Sequence, residues 1–211
     1  MKTHFLHHAS QNKDLILFFA GFASHPSHFA HLSSQCSVLM VYDYTQFSFD
    51  ENVLKDFENI TLIAFSMGVC VASKLLKNTN INTKIKQKIA INGTNFGIDK
   101  QKGIHPVLFM QTMKSFNLSD FKKALFGRHL IKAKDFVFKE EESLKKELES
   151  LFEFVKKQDE RDFVWDKIYA SCEDKIFPPK ALCACFSNIN LLEEEHFVFF
   201  SFSSWEELCL I

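Results

Sequence analysis

The chain has 211 residues, of which 46% are apolar, and a formal net charge of −1 at pH 7. This length suits one domain with a substantial core, and the near-neutral charge argues against a general nucleic-acid surface. No apolar run reaches transmembrane length, and residues 1–14 contain no apolar core of signal-peptide size. The six cysteines form no C-x-x-C pair, as is typical of a reducing compartment. We therefore expect a cytoplasmic protein that engages neither membrane nor nucleic acid.

Predicted strands and helices alternate along most of the chain. Strands are predicted over residues 2–8, 14–20, 37–42, 60–65, 86–92, 167–171 and 189–192. Helices are predicted over 27–32, 69–76 and 203–210, with another beginning at the prolines of positions 178–179. This order favours a single α/β domain over residues 1–211, with a mostly parallel sheet flanked by helices. Ligands of such sheets bind at the carboxyl ends of the strands. Polar or glycine positions follow the predicted strands at Gly21, Asp43, Ser66, Asn92, Asp174 and His196.

A helical insertion at about residues 105–159 interrupts this alternation. Helices are predicted over 106–116, 119–126 and 141–157, and the last carries an apolar stripe at helical spacing. Helices inserted between late strands commonly form a lid over the site. The alternative is that they cover the sheet as an ordinary layer, and their apolar residues are compatible with both arrangements.

Positive charge gathers in the same segment. Residues 114–139 contain seven Lys or Arg against two Asp, in a chain that is otherwise nearly neutral. Such a run is either a solvated helix face or a docking patch for an acidic partner. The candidate contacts are Lys122, Lys123 and Arg128, because they lie on or just after one short predicted helix.

The clearest chemical motif lies in residues 59–76. A β-branched apolar run leads through Ser66-Met67-Gly68 into a segment with helical apolar spacing. A buried strand that turns through Ser-x-Gly into a helix is a nucleophile elbow, whose turn lifts the serine hydroxyl above the sheet. Ala64 stands where G-x-S-x-G has its first glycine, which is a mild departure in size. The alternative is that Ser66 only caps the helix.

A nucleophilic serine needs a base, and the base needs an orienting acid. In this type of sheet the chain order is serine, acid, histidine. Of the histidines after Ser66, His105 and His129 lie in the insertion, whereas His196 follows a short predicted strand. Asp174 follows the strand predicted over 167–171 and is the candidate acid.

These assignments have local alternatives. Glu173 is the immediate rival of Asp174, whereas Asp166 lies too early on its strand. Either neighbouring carboxylate could instead cap the following helix, and His196 could be an ordinary loop histidine. Three suitable groups in the right order on the right elements argue against coincidence.

An oxyanion hole needs two backbone N–H groups. Met67, directly after the serine, is one candidate, and Phe22, behind Gly21 in the turn after an early strand, is the other. No H-G-G-G motif, P-loop or G-x-G-x-x-G motif is present, and no cofactor is expected. The spaced histidines His25, His28 and His31 lack neighbouring carboxylates and cysteines, so a helix surface is expected there rather than a metal site.

Together these features resemble the α/β-hydrolase fold and, more narrowly, the BioG-type pimeloyl-[acyl-carrier protein] methyl ester esterases of biotin synthesis. The residues that carry the resemblance are 18–22 (FFAGF), 42–44 (YDY), 64–69 (AFSMGV), 90–94 (AINGT), 103–104, Asp174 and His196. The resemblance implies a serine carboxylesterase that hydrolyses the methyl ester of a pimeloyl chain on an acyl-carrier protein. A monomer is expected. A generic carboxylesterase or thioesterase for small acyl esters is the alternative, and a catalytically dead hydrolase fold used for binding is a third.

Overall fold

A seven-stranded sheet forms the centre of the computed structural model, which describes residues 1–77, 79–157 and 163–210. The strands are β1 (Lys2–His7), β2 (Asp14–Phe19), β3 (Ser37–Tyr42), β4 (Asn59–Phe65), β5 (Ile85–Ile91), β6 (Lys167–Ser171) and β7 (Asn190–Leu192). Their order in the sheet is β1-β3-β2-β4-β5-β6-β7. Only the edge strand β1 is antiparallel to its neighbour within this described sheet. The predicted strands and their mostly parallel arrangement are confirmed.

Six α-helices lie in the described part of the chain. They are α1 (Met67–Leu75), α2 (Pro106–Lys114), α3 (Leu118–Phe126), α4 (Glu141–Lys156), α5 (Pro179–Cys185) and α6 (Trp205–Leu210). The short helix predicted over residues 27–32 is a 3-10 helix that begins at Pro26 and ends earlier than predicted, at Phe29. None of the helices described is long and apolar enough to cross a membrane.

Strand β2 shows how the sequence builds the two halves of the core. Successive side chains of a strand point to opposite faces, so a run buried throughout requires cover on both faces. Leu15, Leu17 and Phe19 pack into one apolar cluster with α1 and α4. Ile16 and Phe18 pack into a second cluster, which includes residues of α6.

The helical insertion contributes both to the cover of the sheet and to the wall of a cavity. Its last helix, α4, buries Leu144, Leu148 and Leu151 in the same cluster as α1, so α4 covers the sheet. Helices α2 and α3 instead border a cavity at the carboxyl ends of the strands. The predicted end of the insertion, residues 158 and 159, lies outside the described residues.

Buried charges tie α4 to the end of β3. Asp43 is 5% exposed and Glu147 of α4 is 1% exposed. Lys139 Nζ lies 3.0 Å from Asp43 Oδ1 and also contacts Glu147 Oε2, while Lys2 Nζ lies 2.8 Å from Asp43 Oδ2. Burial opposes ionisation of Asp43, but hydrogen bonds from Lys2 and Lys139 outweigh it and hold the pKa of Asp43 below its usual value. Burial raises the pKa of Glu147.

We expect Lys139→Met to destabilise the fold, because it leaves two buried carboxylates without their shared cation. The Lys139 side chain is 27% exposed. The expected loss at neutral pH is therefore roughly 2–4 kcal/mol, at or below the ~3–5 kcal/mol of a fully buried pair. Acid should shrink this loss. Glu147, with its raised pKa, takes up a proton as the pH falls toward 5, whereas Asp43, with its lowered pKa, stays ionised over that range.

Urea unfolding of Lys139→Met at pH 8 and at about pH 5 measures both the loss and its pH dependence. Lys145→Met on the same helix is the matched control, because Lys145 pairs with Glu142 on the solvent side. No measurable change is expected there. Equal stability of the two variants would show that the buried charges do not hold α4.

Candidate active site

Ser66 lies at a sharp turn between β4 and α1. Its backbone has φ 57° and ψ −128°, and its side chain makes no capping hydrogen bond to the helix. The turn brings other backbones into close contact. A Cβ on Gly68 would lie 2.3 Å from Phe19 O, and a Cβ on Gly93 would lie 2.1 Å from Ser66 O. Glycine is therefore required at both positions. The side chain of Ser66 therefore does not cap α1.

The structure brings Ser66, His196 and Asp174 into one hydrogen-bonded array. His196 Nε2 lies 2.9 Å from Ser66 Oγ, and His196 Nδ1 lies 2.6 Å from Asp174 Oδ2. All three residues are buried, with exposed fractions of 4% for Ser66, 1% for His196 and 7% for Asp174. This is the arrangement that lets a histidine take a proton from a serine while a carboxylate orients the ring.

Asp174 performs a second, local task. Its Oδ1 accepts hydrogen bonds from the backbone N–H groups of Ile176 and Phe177, at 2.7 and 2.8 Å. One carboxylate oxygen thus fixes the turn after β6 while the other faces His196. Asp174 does not cap α5, because that helix has Pro178 at its N-cap and no side-chain capping hydrogen bond.

The rival residues lie outside this array. Glu173 is exposed. His105 Nδ1 accepts a hydrogen bond from Val107 N at the start of α2. His129 Nε2 lies 3.0 Å from Glu194 Oε2.

Two aromatic rings flank the imidazole of His196. The ring of Phe65 lies 4.9 Å away between centroids, and the ring of Phe177 lies 6.4 Å away and nearly parallel. Phe177 is 0% exposed. These rings limit solvent contact with the imidazole and restrict its rotation, because protein interiors are close-packed.

The two candidate oxyanion residues both border the cavity at Ser66. Met67 is the first residue of α1, where backbone N–H groups have no partner within the helix. Phe22 follows Gly21, at which an added Cβ would lie 3.0 Å from Ser66 Cβ. The turn after β2 thus passes directly beside the serine side chain.

A cavity of about 470 Å³ opens above Ser66 and His196. This volume falls in the usual range for small-molecule sites. Its lining is mostly apolar and includes Ile104, Phe109, Phe116, Phe121 and Leu125. Phe22 packs edge-on against Phe116 and Phe121, with centroid distances of 5.6 and 5.2 Å. Helix α3 and the segment that connects α2 to α3 are therefore in direct contact with the turn beside the serine.

A polar stripe on α2 also lines the cavity, and the sequence reasoning missed it. Gln111, Thr112 and Ser115 all face the cavity, and α3 faces them across it with Asp120 and Ala124. Their i, i+1 and i+4 spacing places them on one side of a helix. The spacing of these three residues could be seen in the sequence, but the cavity that they face could not be predicted from it.

The three spaced histidines do not share a helix surface, so that prediction is wrong for His28. It is 1% exposed, it stacks on Phe136 at 4.7 Å, and its Nε2 lies 2.7 Å from Val137 O. Burial lowers the pKa of His28 to about 4, so the ring is neutral and donates to that carbonyl. His31 Nε2 instead lies 2.8 Å from Phe199 O. Among the residues described, no group of three or more His, Cys, Asp or Glu is placed to hold a metal ion.

The three candidate docking cations occupy different environments. Lys123 is exposed and pairs with Asp120 at 2.9 Å. Lys122 lies over the ring of Phe138, 4.4 Å from its centroid. Arg128 is turned toward the loop before His196, where Nη2 donates to Glu193 O at 2.6 Å and to Glu194 Oε2 at 3.2 Å. Sequence position alone could not reveal these partners.

Comparison with known proteins adds family and fold relationships. A family model described as "Pimeloyl-ACP methyl esterase BioG" matches residues 1–208. The crystal structure of BioG from Haemophilus influenzae has a TM-score of 0.88 and 29% identity, and the match covers 99% of both chains. An α/β-hydrolase enzyme from a deep-sea metagenome library has a TM-score of 0.54 at 16% identity, over 90% of this chain and 84% of that one. The predicted α/β-hydrolase fold is thereby confirmed.

A longer relative is also similar. A malonyl-[acyl-carrier protein] O-methyltransferase of Bacteroides fragilis is 35% identical over 175 residues, which make up 80% of this chain. The chain spans only about a third (35%) of the length of that relative.

Proposed function

This chain belongs to the pimeloyl-ACP methyl esterase family BioG, and from that premise we propose that it hydrolyses the methyl ester of a pimeloyl chain held by an acyl-carrier protein. The products are methanol and pimeloyl-carrier protein. The observation that carries the proposal is the buried array of Ser66, His196 and Asp174 at the floor of an apolar cavity. No cofactor is required, because each step below uses only groups of the chain, the ester and water.

In the proposed mechanism Ser66 Oγ attacks the ester carbonyl carbon while His196 Nε2 takes the hydroxyl proton. Asp174 holds the imidazole in the required orientation and stabilises its charged form. The backbone N–H groups of Met67 and Phe22 receive the oxyanion. His196 returns the proton to the leaving methoxide, and methanol departs. A water molecule, activated by the same histidine, then hydrolyses the acyl-serine.

The cavity suits a tethered acyl chain. Its apolar lining, from Phe109 and Phe116 among others, can enclose the methylene groups next to the ester. The polar stripe of Gln111, Thr112 and Ser115 lies on α2 and offers hydrogen-bonding groups to the amide-containing arm that carries the chain. On this proposal α2 and α3 act as the lid of a single domain.

The Bacteroides relative supports a carrier-bound methyl ester as substrate. Its name describes methylation of a malonyl group on acyl-carrier protein, and the region similar to this chain is about a third of its length. An esterase beside such a methyltransferase would remove the methyl group that the methyltransferase adds. No disulfide joins the cysteines in the part of the chain that the structure describes, and we place the enzyme in the cytoplasm as a monomer.

The experiment is a comparison of two substrates at low and high salt. Methanol release is measured from a methyl pimeloyl-carrier protein and from a small soluble methyl ester. The proposal expects a much larger kcat/KM for the carrier substrate, and growth rescue of a biotin auxotroph that lacks its own esterase. Equal kcat/KM for both substrates without rescue would favour a generic carboxylesterase. Thioester cleavage in place of methanol release would favour a thioesterase.

Charge reversal on α3 tests the carrier contact within the same assay. Lys122, Lys123 and Arg128 are the proposed contacts, but Arg128→Glu would place a carboxylate against Glu194, so Arg128→Gln is measured separately. Exposed pairs are weak, roughly 0.2–1 kcal/mol each. The Lys122→Glu/Lys123→Glu variant should therefore lower kcat/KM for the carrier substrate several-fold, up to about tenfold, with a shallower salt dependence.

Hydrolysis of the small ester should not change in that variant. Lys55→Glu/Lys86→Glu is the matched control, because both residues are exposed and lie near the amino-terminal ends of β4 and β5. It should leave both substrates unaffected. A loss on both substrates in the α3 variant would indicate damage to α3, and no loss on either would make the positive charge a solvated face.

A further inference from the structure

A buried amide holds the backbone of His196. Asn92 directly follows β5, is 0% exposed, and has a φ of 48°. Its Nδ2 donates to His196 O at 2.8 Å and to Ser171 Oγ at 2.8 Å. Its Oδ1 accepts from Ser171 N at 2.7 Å. One side chain thus connects three neighbouring segments at the floor of the site.

These contacts fix the orientation of the amide. A carbonyl oxygen can only accept and a backbone N–H can only donate, so the NH₂ group must face His196 O and the oxygen must face Ser171 N. Both amide protons and one acceptor position are used. An isosteric carboxylate would keep the acceptor but replace the donor with an oxygen that opposes His196 O.

The location of the contacts relates them to catalysis. Ser171 is the last residue of β6, and its backbone leads in three residues to Asp174. The loop that holds His196 follows β7, which has only three residues, Asn190–Leu192, and lies at the edge of the sheet. A short edge strand provides few backbone hydrogen bonds to hold such a loop. On the other side of the histidine, Phe197 N donates to Leu125 O at 3.0 Å.

We propose that Asn92 is a positioning residue for His196, setting the distance of the imidazole from Ser66 and Asp174. The proposal rests on the assignment of His196 as the base in the proposed function. Loss of the amide donor frees the carbonyl of His196 and moves the ring off its line with Ser66 Oγ. A displacement of about 1 Å at a reacting group can cost about 100-fold in rate.

The test is Asn92→Asp, with Asn95→Asp as its matched control. Asn95 is also a buried amide, 3% exposed, but its Nδ2 donates to Phe163 O and its Oδ1 accepts from Trp165 Nε1. Both changes bury a carboxylate in place of an amide and should lower the melting temperature. Only Asn92→Asp should lower kcat on the small ester, by roughly 10- to 100-fold with KM nearly unchanged. The value of kcat is measured at the plateau of the pH profile. It is divided by the concentration of active sites, which is the number of serines that a phosphonate labels at saturation.

A second variant keeps the proposal testable where Asn92→Asp does not fold. Asn92→Gly adds no charge and fits the positive φ, and it should show the same loss of kcat. Wild-type kcat per labelled serine in Asn92→Gly would overturn the proposal, as would equal losses in Asn92→Asp and Asn95→Asp. His196→Ala separates a failure of the proposed function from a failure of the proposed role of Asn92. Normal turnover by His196→Ala would refute the proposed function itself. An inactive His196→Ala together with fully active Asn92 variants would refute only the role of Asn92.

Discussion

Ser66→Ala is expected to abolish ester hydrolysis while the protein stays folded. Without the hydroxyl no acyl-enzyme forms, and loss of a triad nucleophile typically costs about 10⁴–10⁶-fold in kcat. The fold should tolerate the change, because the Ser66 side chain makes no capping bond to α1. The residual rate should be seen equally on the carrier-bound and the small ester, since both use the same serine.

Ser73→Ala is the matched control for this change. Ser73 lies on the same helix, is 3% exposed, and donates only a local hydrogen bond to Cys70 O. It should retain wild-type kcat, and its melting temperature should fall no less than that of Ser66→Ala. Phosphonate labelling followed by mass spectrometry identifies the reactive serine directly. Labelling of another serine, or normal turnover by Ser66→Ala, would remove Ser66 from the proposed mechanism.

The sheet and the elbow were predictable because their signals are local. Strand β2 is apolar at almost every position, which only a strand covered on both faces requires. The turn at Ser66 needs small neighbours, and Gly68 satisfies that need within the motif itself. The relation of Ser66 to Asp174 and His196 followed from the chain order that this sheet topology imposes.

The contacts that the sequence could not reveal are those between a residue and a distant segment. His28 has the spacing of a surface histidine, but its partners Phe136 and Val137 are more than a hundred residues away in the chain. Arg128 follows a short helix, yet its guanidinium donates hydrogen bonds to Glu193 and Glu194 in the loop before His196. Spacing within one element carries no information about such partners. The sequence also could not show which helices of the insertion cover the sheet, because only tertiary packing places α4 there.

Asp174→Asn is expected to lower kcat by roughly 10³–10⁴-fold with little change in KM, because the NH₂ group that replaces Oδ2 cannot accept a hydrogen bond from His196 Nδ1–H. The ring then adopts the wrong tautomer for taking the proton of Ser66. The fold should persist, because the amide oxygen can still accept from Ile176 N and Phe177 N, the bonds that Asp174 Oδ1 makes.

Glu173→Gln decides between the two neighbouring carboxylates. Glu173 is exposed, whereas Asp174 Oδ2 lies 2.6 Å from His196 Nδ1, so removal of the Glu173 charge should leave kcat and KM unchanged. Both variants are assayed on the small ester, which separates chemistry from carrier docking, and their melting curves report on the fold. A crippled Glu173→Gln beside an active Asp174→Asn would exchange the two roles. Equal activity in both variants would mean that His196 is oriented by its packing between Phe65 and Phe177 and by its backbone contacts, without a carboxylate.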